Sequence, residues 1–212
     1  MCPWNKDTCT AAARSGNVKV LQYLYKNKCP FDEDVCYWAA KKGYQDVLLF
    51  AIQKGFPFDK RVTAALAYRG ELELLEYARD NGCAWGAAAC ANAAANGDLV
   101  MLQWLREKGC PWEEQTCSYA AYNGHLEVLK WARSQNCPWD HWTTTRSKEK
   151  NPEVYEWAIT NGCDYIVETS GYMKNIKKGI SLVSVSKARK KKKKEKKDQQ
   201  LIAVMCRSGS FR

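Results

Sequence analysis

A period of 27 residues runs through most of this chain of 212 residues. Its clearest copy is Gly124 to Asp140, GHLEVLKWARSQNCPWD. Three markers keep the period: a Cys-Pro-aromatic triplet, a pair of alanines and a glycine. The triplet, or a variant of it, begins at Cys2, Cys29, Phe56, Cys83, Cys110 and Cys137. A period of about 20 to 50 residues is typical of stacked supersecondary units, so the sequence predicts an array of repeats.

Each unit carries the signals of two short helices. An Asn or Asp after the aromatic residue is suited to cap the first helix, and the glycine is suited to end it. The predicted caps are Asn5, Asp32, Asp59 and Asp140. The apolar stripe of the first helix consists of small residues, and that of the second helix consists of bulkier ones. The second helix ends in a basic residue, whose charge interacts favourably with the helix dipole. Helices of about ten residues are marginal alone, so the units must pack on one another. The linker aromatic is predicted to pack over the contact between units.

The motif A-A-x-x-G-H-L-E-V-L, here Ala120 to Leu129, resembles the ankyrin repeat. The resemblance covers residues 2–165 and implies an all-α solenoid of about six stacked helix-turn-helix units. The chain departs from the family in its period, which is usually about 33 residues. It also carries W-[ND]-x-x-[TV]-C where the family has T-P-L-H. The missing residues imply that the projecting β-turns are short or absent.

Charge divides the chain in two. Residues 1–165 hold 19 Lys and Arg against 20 Asp and Glu, whereas residues 166–212 hold 14 against 3. We therefore expect an ankyrin-like array at 1–165 and a basic, mostly disordered tail at 166–212, with at most one more turn near its start. The sixth unit, from Thr143 to Pro152, lacks the alanine pair and the glycine. It is interpreted either as a polar cap or as a decaying repeat.

The tail contains a block of lysine and arginine that resembles a nuclear localisation signal. Its residues are Lys187, Arg189, Lys190, Lys191, Lys192, Lys193, Lys194, Lys196 and Lys197. Three interpretations stay open. An import receptor could bind it, a polyanion such as nucleic acid or an anionic membrane could bind it without specificity, or the tail could carry no function.

Cysteine spacing argues against a disulfide framework and a metal site. Ten of the eleven cysteines occupy two repeat positions. Equivalent residues of neighbouring units lie about 8–10 Å apart, beyond the roughly 7 Å that a disulfide spans, and the C-x6-C spacing is not that of a zinc knuckle. We expect small buried hydrophobic residues in a reducing compartment. With no apolar run of about 18 residues and no signal peptide, the chain is predicted to be intracellular, cytoplasmic or nuclear, without a membrane span.

No catalytic constellation is evident, and no cofactor is predicted. His125 starts a second helix and is interpreted as a cap, while His141 stands alone. The positions that vary while the frame stays constant lie on the first helices, which in the ankyrin family line the concave face. The candidate partner-binding residues are Trp38, Lys41, Tyr68, Tyr119 and Tyr122. Such aromatics either anchor a partner or pack between units.

The repeat array and the basic tail predict two alternative functions from different classes. The first is a non-catalytic scaffold that binds a protein partner of unknown identity through the concave face. The alternative is binding of nucleic acid or an anionic surface through the Lys/Arg-rich tail.

Overall fold

The computed structural model describes residues 4–168 and 174–177. These ranges contain twelve helices of seven to ten residues, followed by two strands of four residues. The elements are α1 (Lys6–Arg14), α2 (Val18–Lys26), α3 (Glu33–Lys42), α4 (Gln45–Gln53), α5 (Lys60–Arg69), α6 (Leu72–Asp80), α7 (Ala87–Ala95), α8 (Leu99–Glu107), α9 (Glu114–Tyr122), α10 (Leu126–Ser134), α11 (His141–Ser147), α12 (Pro152–Thr160), β1 (Tyr165–Glu168) and β2 (Lys174–Lys177). The array is helical, as the repeat pattern predicts.

Asn and Asp side chains start the first helix of several units. The side-chain oxygens of Asn5, Asp32, Asp59 and Asp140 each accept a hydrogen bond from a backbone amide in the first turn of the helix that follows. All four predicted caps are therefore confirmed. Each satisfies an amide that has no partner within the helix. The starts of α7 and α9 have no side-chain cap bond, so capping is not required in every unit.

The helices contact one another in sequence order. Each odd-numbered helix, which we call a first helix, contacts the even-numbered second helix that follows it. Each first helix also contacts the next one, from α1 through to α11. The alanine pairs of α1, α3, α7 and α9 are at most 6% exposed, and their small size allows this approach. Larger residues of the second helices, among them Leu102 and Leu129, complete the core.

The linker aromatic lies at the contact between two units, as predicted. The indole of Trp85 packs edge to face against Trp104 of its own unit, with 6.2 Å between ring centroids. The guanidinium of Arg79, from the preceding unit, lies 4.0 Å from the Trp85 centroid and donates a hydrogen bond to the Cys83 carbonyl. Arg79 therefore connects the linker to the end of the preceding helix. This contact is additional to the favourable interaction with the helix dipole that the sequence predicts. The arrangement recurs with Arg106, Trp112 and Trp131, and with Arg133, Trp139 and Trp157.

The linker cysteines form a second bond between units, which the sequence did not predict. The Cys29 thiol donates to the carbonyl oxygen of Asn5, the cap of the preceding first helix, at 3.4 Å. A thiol is a weak donor, so this bond adds modestly to the burial of the side chain. In the second linker Phe56 replaces the cysteine and stacks on Phe31 at 3.7 Å. Equivalent thiol–carbonyl bonds of 3.2 to 3.7 Å start from Cys83, Cys110, Cys137 and Cys163.

The predicted capping role of His125 is wrong. α10 begins after His125 without a bond from its side chain. The imidazole instead reaches the preceding unit, where Nε2 lies 3.0 Å from the carbonyl oxygen of Ala95. Its ring lies against Gly97, so that a Cβ atom there would come within 2.6 Å of His125 Nδ1. Since Gly97 also has a φ of 73°, the glycine both closes its helix and leaves room for the next unit.

The sixth unit forms both of its helices despite its polar sequence. Thr143, Thr144 and Ser147 are buried in α11. The Ser147 hydroxyl donates to the Thr143 carbonyl at 2.8 Å, and the Thr144 hydroxyl donates to the Asp164 carbonyl at 2.7 Å. The hydroxyls of Ser147 and Thr144 are compatible with burial because each finds an acceptor, whereas the buried Thr143 hydroxyl has no hydrogen-bond partner within the described residues. The sixth unit therefore consists of two helices, the first of which buries polar side chains.

Two short strands follow the helices. β1 and β2 pair antiparallel, with Tyr165 opposite Lys177 and Glu168 opposite Lys174. The segment predicted to be mostly disordered, 166–212, lies largely outside the described residues, which include only 166–168 and 174–177 of it. The β-branched residues Ile166 and Val167 favour extended backbone, which accounts for the first strand. The basic block from residue 187 to 197 lies outside the described residues.

Candidate functional site

The five predicted binding residues all lie on first helices. Trp38 and Lys41 belong to α3, Tyr68 to α5, and Tyr119 and Tyr122 to α9. We call the side of the first helices that carries them the first-helix face. Tyr68 is 59% exposed and Tyr122 40% exposed, whereas Trp38 and Tyr119 are half-buried. The face therefore combines aromatics that reach solvent with aromatics that also pack between units.

Two cations lie over the ring of Trp38. The guanidinium of Arg14, from the preceding unit, is 4.3 Å from the ring centroid, and Lys41 Nζ is 4.9 Å from it. Lys41 Nζ also donates a hydrogen bond to the Tyr37 hydroxyl at 3.0 Å. Among the described residues, neither cation forms an ion pair with a carboxylate. Because a ring face attracts cations, both charges are held in place and stay available to an anion.

Arg61 joins the second and third units of the face. Its guanidinium lies 4.8 Å from the Tyr37 ring centroid. Arg61 Nη1 is 2.8 Å from a carboxylate oxygen of Asp34, and Nε is 2.8 Å from one of Asp59. The charge of Arg61 is therefore already balanced, unlike that of Lys41. Hydrogen bonds to charged partners fix the orientation of such a side chain.

The two tyrosines of α9 are also paired with cations. Arg146 lies 5.1 Å from the Tyr119 ring centroid, and Lys150 Nζ lies 4.1 Å from that of Tyr122. Lys150 Nζ also donates to the Tyr122 hydroxyl at 2.7 Å. This hydrogen bond, together with the positive charge of Lys150, lowers the pKa of the Tyr122 phenol because both stabilise the phenolate. Both cations come from the unit that follows.

A cavity of about 380 Å³ opens on the first-helix face between α3, α5 and α7. Ala64 and Ala65 form part of its lining, and their small side chains leave the space free. Asn92 Nδ2 donates to the Ala64 carbonyl at 2.8 Å and so ties α7 to α5. The lining residues are Tyr37, Lys41, Arg61, Ala64, Ala65, Tyr68 and Asn92. The structure thus brings Lys41 and Tyr68 together, and it leaves Trp38, Tyr119 and Tyr122 outside the lining.

Five further residues of this face are absent from the predicted binding set. They are Arg14, Tyr37, Arg61, Arg146 and Lys150. A signal for them was present, because each cation and the aromatic ring below it are separated by 24 to 28 residues, close to one repeat period. Residues one period apart lie in neighbouring units, so a cation one period from an aromatic predicts contact between them.

The described residues contain no group of three or more His, Cys, Asp or Glu side chains that could hold a metal ion. Among the described residues that line the cavity, none is a carboxylate, a histidine or a cysteine. His141 lies beside Trp142, with 5.1 Å between ring centroids, and His125 lies between two units as described above. In the same part of the chain, no helix has the length and apolar character needed to cross a membrane.

The nine cysteines within the described residues are all buried, and none forms a disulfide. This confirms the expectation of buried small side chains. Burial raises the pKa of the Cys36 and Cys163 thiols to about 12 and that of Cys83 to about 11. Desolvation disfavours the thiolate, which is the reactive form.

These thiols should therefore resist alkylation in the folded protein. We expect iodoacetamide at about pH 8 to leave all nine unmodified in native buffer and to modify all nine in guanidinium chloride, because burial blocks access to each thiol and unfolding exposes it. Peptide mass spectrometry would follow each position separately. Reaction of Cys36 at equal rates in native and denaturing buffer would contradict its burial.

No protein-family model matches this chain, and no curated protein sequence matches it significantly.

Proposed function

We propose that residues 1–165 form an ankyrin-like solenoid of about six units that acts as a non-catalytic scaffold for a protein partner. The partner lies along the first-helix face and contacts Trp38, Lys41, Tyr68, Tyr119 and Tyr122. The observation that carries the proposal is a contrast within the first helices. Their inward positions hold small buried residues, while their outward positions hold aromatic and cationic residues that differ between units.

The order of helix contacts supports the solenoid. First helices contact the next first helix and their own second helix, which is the connectivity of a stack of helical pairs. The bonds between units repeat as well: an arginine over a tryptophan, and a thiol on a cap carbonyl. A structure built from repeated contacts between neighbours leaves one long face free along the first helices.

The composition of that face supports a protein partner. Tyrosine, tryptophan and arginine are enriched at protein interfaces, because they offer large contact areas together with hydrogen bonds. Tyr68 and Tyr122 keep 59% and 40% of their surface exposed, an unusual state for aromatic side chains that serve only the core. A scaffold is favoured over an enzyme because the described residues that line the cavity include no carboxylate, histidine or cysteine to act as an acid–base group or nucleophile.

The competing function, binding of polyanions or an import receptor through the tail, rests on its composition of 14 basic against 3 acidic residues. The two functions differ in their response to salt. Each phosphate contact contributes about 0.9 to the slope of log K against log salt, so polyanion binding by the tail weakens steeply as salt rises. Binding by an aromatic face weakens far less.

Capture from cell lysate at about 50 and 200 mM salt, quantified by mass spectrometry, would separate these functions. We expect full-length protein to retain the same partner proteins at both concentrations. The double substitution Tyr68→Ala/Tyr122→Ala should abolish their capture, whereas replacing the basic residues of 187–197 by Gln should not. Tyr23→Ala is the matched control, because Tyr23 is 58% exposed but lies on the second helix α2.

If only the tail substitutions removed partners, the scaffold would be wrong and the tail would carry the function. Equal losses for the face variant and for Tyr23→Ala would also contradict the proposal, since the effect would then not depend on the first-helix face.

A further inference from the structure

The cavity on the first-helix face is lined by both apolar and cationic residues. Ala64 and Ala65 line it together with Tyr37 and Tyr68. Among the described residues of its lining, Lys41 and Arg61 are the charged ones. A volume of about 380 Å³ is at the small end of ligand sites, and it suits one large side chain rather than a whole ligand.

The cavity follows from the sequence of the third unit. α5 carries Ala64 and Ala65 at the positions where α3 carries Tyr37 and Trp38. Two small residues in register with two large ones leave a gap beside the larger pair. Arg61, which also lines the gap, is fixed in place by ion pairs with Asp34 and Asp59, each at 2.8 Å.

The charges that remain available are those of Lys41 and Arg14. Both are held over the ring of Trp38, at 4.9 and 4.3 Å from its centroid, and in the described part of the chain neither meets a carboxylate. A carboxylate from outside would complete an ion pair with a side chain whose freedom is already restricted by the ring. The loss of side-chain entropy on binding is correspondingly small.

We propose that this cavity receives an aromatic side chain from an acidic partner segment, whose neighbouring carboxylates pair with Lys41 and Arg14. The proposal rests on the proposed function and names the class of partner. Aromatic rings pack well against tyrosine rings in offset or edge-on geometry, and complementary charge orients the segment on the face.

A nucleic acid fits the same face less well. A phosphate backbone needs a continuing series of cations, and the series stops at the next first helix. α7 has the sequence AAACANAAA and carries no charged residue. A short acidic peptide needs only the two cations beside the cavity, so the peptide is favoured.

Full-length protein should be titrated against fluorescein-labelled peptides of about twelve residues, followed by anisotropy. The first peptide has one central Phe flanked by Glu and Asp. The second has Lys in place of the acidic residues, the third has Ala in place of Phe, and a single-stranded oligonucleotide of equal charge is the fourth probe. We expect the first peptide to bind at least about tenfold tighter than the second and the third.

Two pairs of variants locate the binding. Lys41→Glu should weaken binding of the acidic peptide about tenfold, whereas Lys54→Glu, the same charge change at the exposed residue that follows α4 and lies outside the cavity, should alter binding less than about twofold. Tyr68→Ala should weaken binding of the acidic peptide by a similar factor, and Tyr23→Ala should leave this binding unchanged. The tail contributes equally to all four variants, so differences between them report on the cavity.

Equal effects of Lys41→Glu and Lys54→Glu would overturn the inference. Equal affinities for the Phe peptide and the Ala peptide would also overturn it. The same holds if the oligonucleotide bound more tightly than the acidic peptide and this binding depended on Lys41. If these peptides failed while lysate capture still depended on Tyr68 and Tyr122, the partner class would be wrong and the scaffold function would stand. Loss of both results would refute the scaffold itself.

Discussion

Replacing Leu102 with Ala should lower the free energy of unfolding by about 2–5 kcal/mol. Leu102 lies on the second helix α8 with no exposed surface, in contact with the core shared by neighbouring units. The substitution removes buried apolar surface and leaves a cavity that the short helices can close only in part. Urea denaturation followed by circular dichroism at the helix band would measure the change.

Val100→Ala on the same helix is the matched control. Val100 is 69% exposed, so its loss should change the free energy of unfolding by less than about 0.5 kcal/mol. Equal stability of the Leu102→Ala and Val100→Ala proteins would mean that α8 does not present Leu102 to the core, and the packing of the fourth unit would have to be revised.

Replacing Ala121 with Leu should destabilise the protein by about 1–3 kcal/mol. Ala121 has no exposed surface, and its helix α9 contacts both α7 and α11. The carbonyl oxygen of Ala121 also accepts a hydrogen bond from Asn151 Nδ2 at 3.0 Å, which holds the sixth unit close. Three additional carbon atoms at this contact must push the two units apart. A thermal melt of the variant would show the loss.

The adjacent substitution Tyr122→Ala provides the comparison. Tyr122 is 40% exposed and belongs to the first-helix face, so its removal should change stability by less than about 0.5 kcal/mol while it weakens partner binding. If Ala121→Leu melted at the same temperature as the parent, the alanine pair would not lie at a close contact between units.

Repetition made the frame predictable. The caps at Asn5, Asp32 and Asp59 and the burial of Ala120 and Ala121 recur at fixed offsets, because each depends on one local requirement. A cap needs a short polar side chain before a helix, and a close contact needs a small side chain. Such requirements select the same type of residue in every repeat. A single sequence therefore shows each requirement several times.

The candidate site was less predictable because it depends on differences between units. Tyr68 and Lys41 could be selected as outward-facing residues, but the cavity that joins them arises from the alanines of α5 beside the large residues of α3. A pattern that occurs once cannot be averaged over copies. The cation pairs of Trp38 and Tyr119 were missed for the same reason, since they require comparison of one unit with the next.

His125 shows how a local rule can mislead. Its position before a second helix predicts a cap, and Asn17 and Asp98 at the equivalent positions do cap their helices. An imidazole is larger than these side chains, and its nitrogen reaches the Ala95 carbonyl of the preceding unit. Asn151 also bonds backward, to the carbonyl oxygens of Ala121 and Tyr122. The contact between units therefore outweighs the cap at these two positions.

The thiol and carbonyl that meet at each of the five cysteine-containing linkers described above are only 23 or 24 residues apart along the chain. Contacts of such short range close small loops, and the entropy lost in forming them is correspondingly low. Chains dominated by contacts of this kind fold quickly, because no step has to wait for distant segments to meet. Once a unit has folded against one neighbour, its other side is an ordered surface on which the next unit can pack. Folding can therefore begin within the array and spread in both directions.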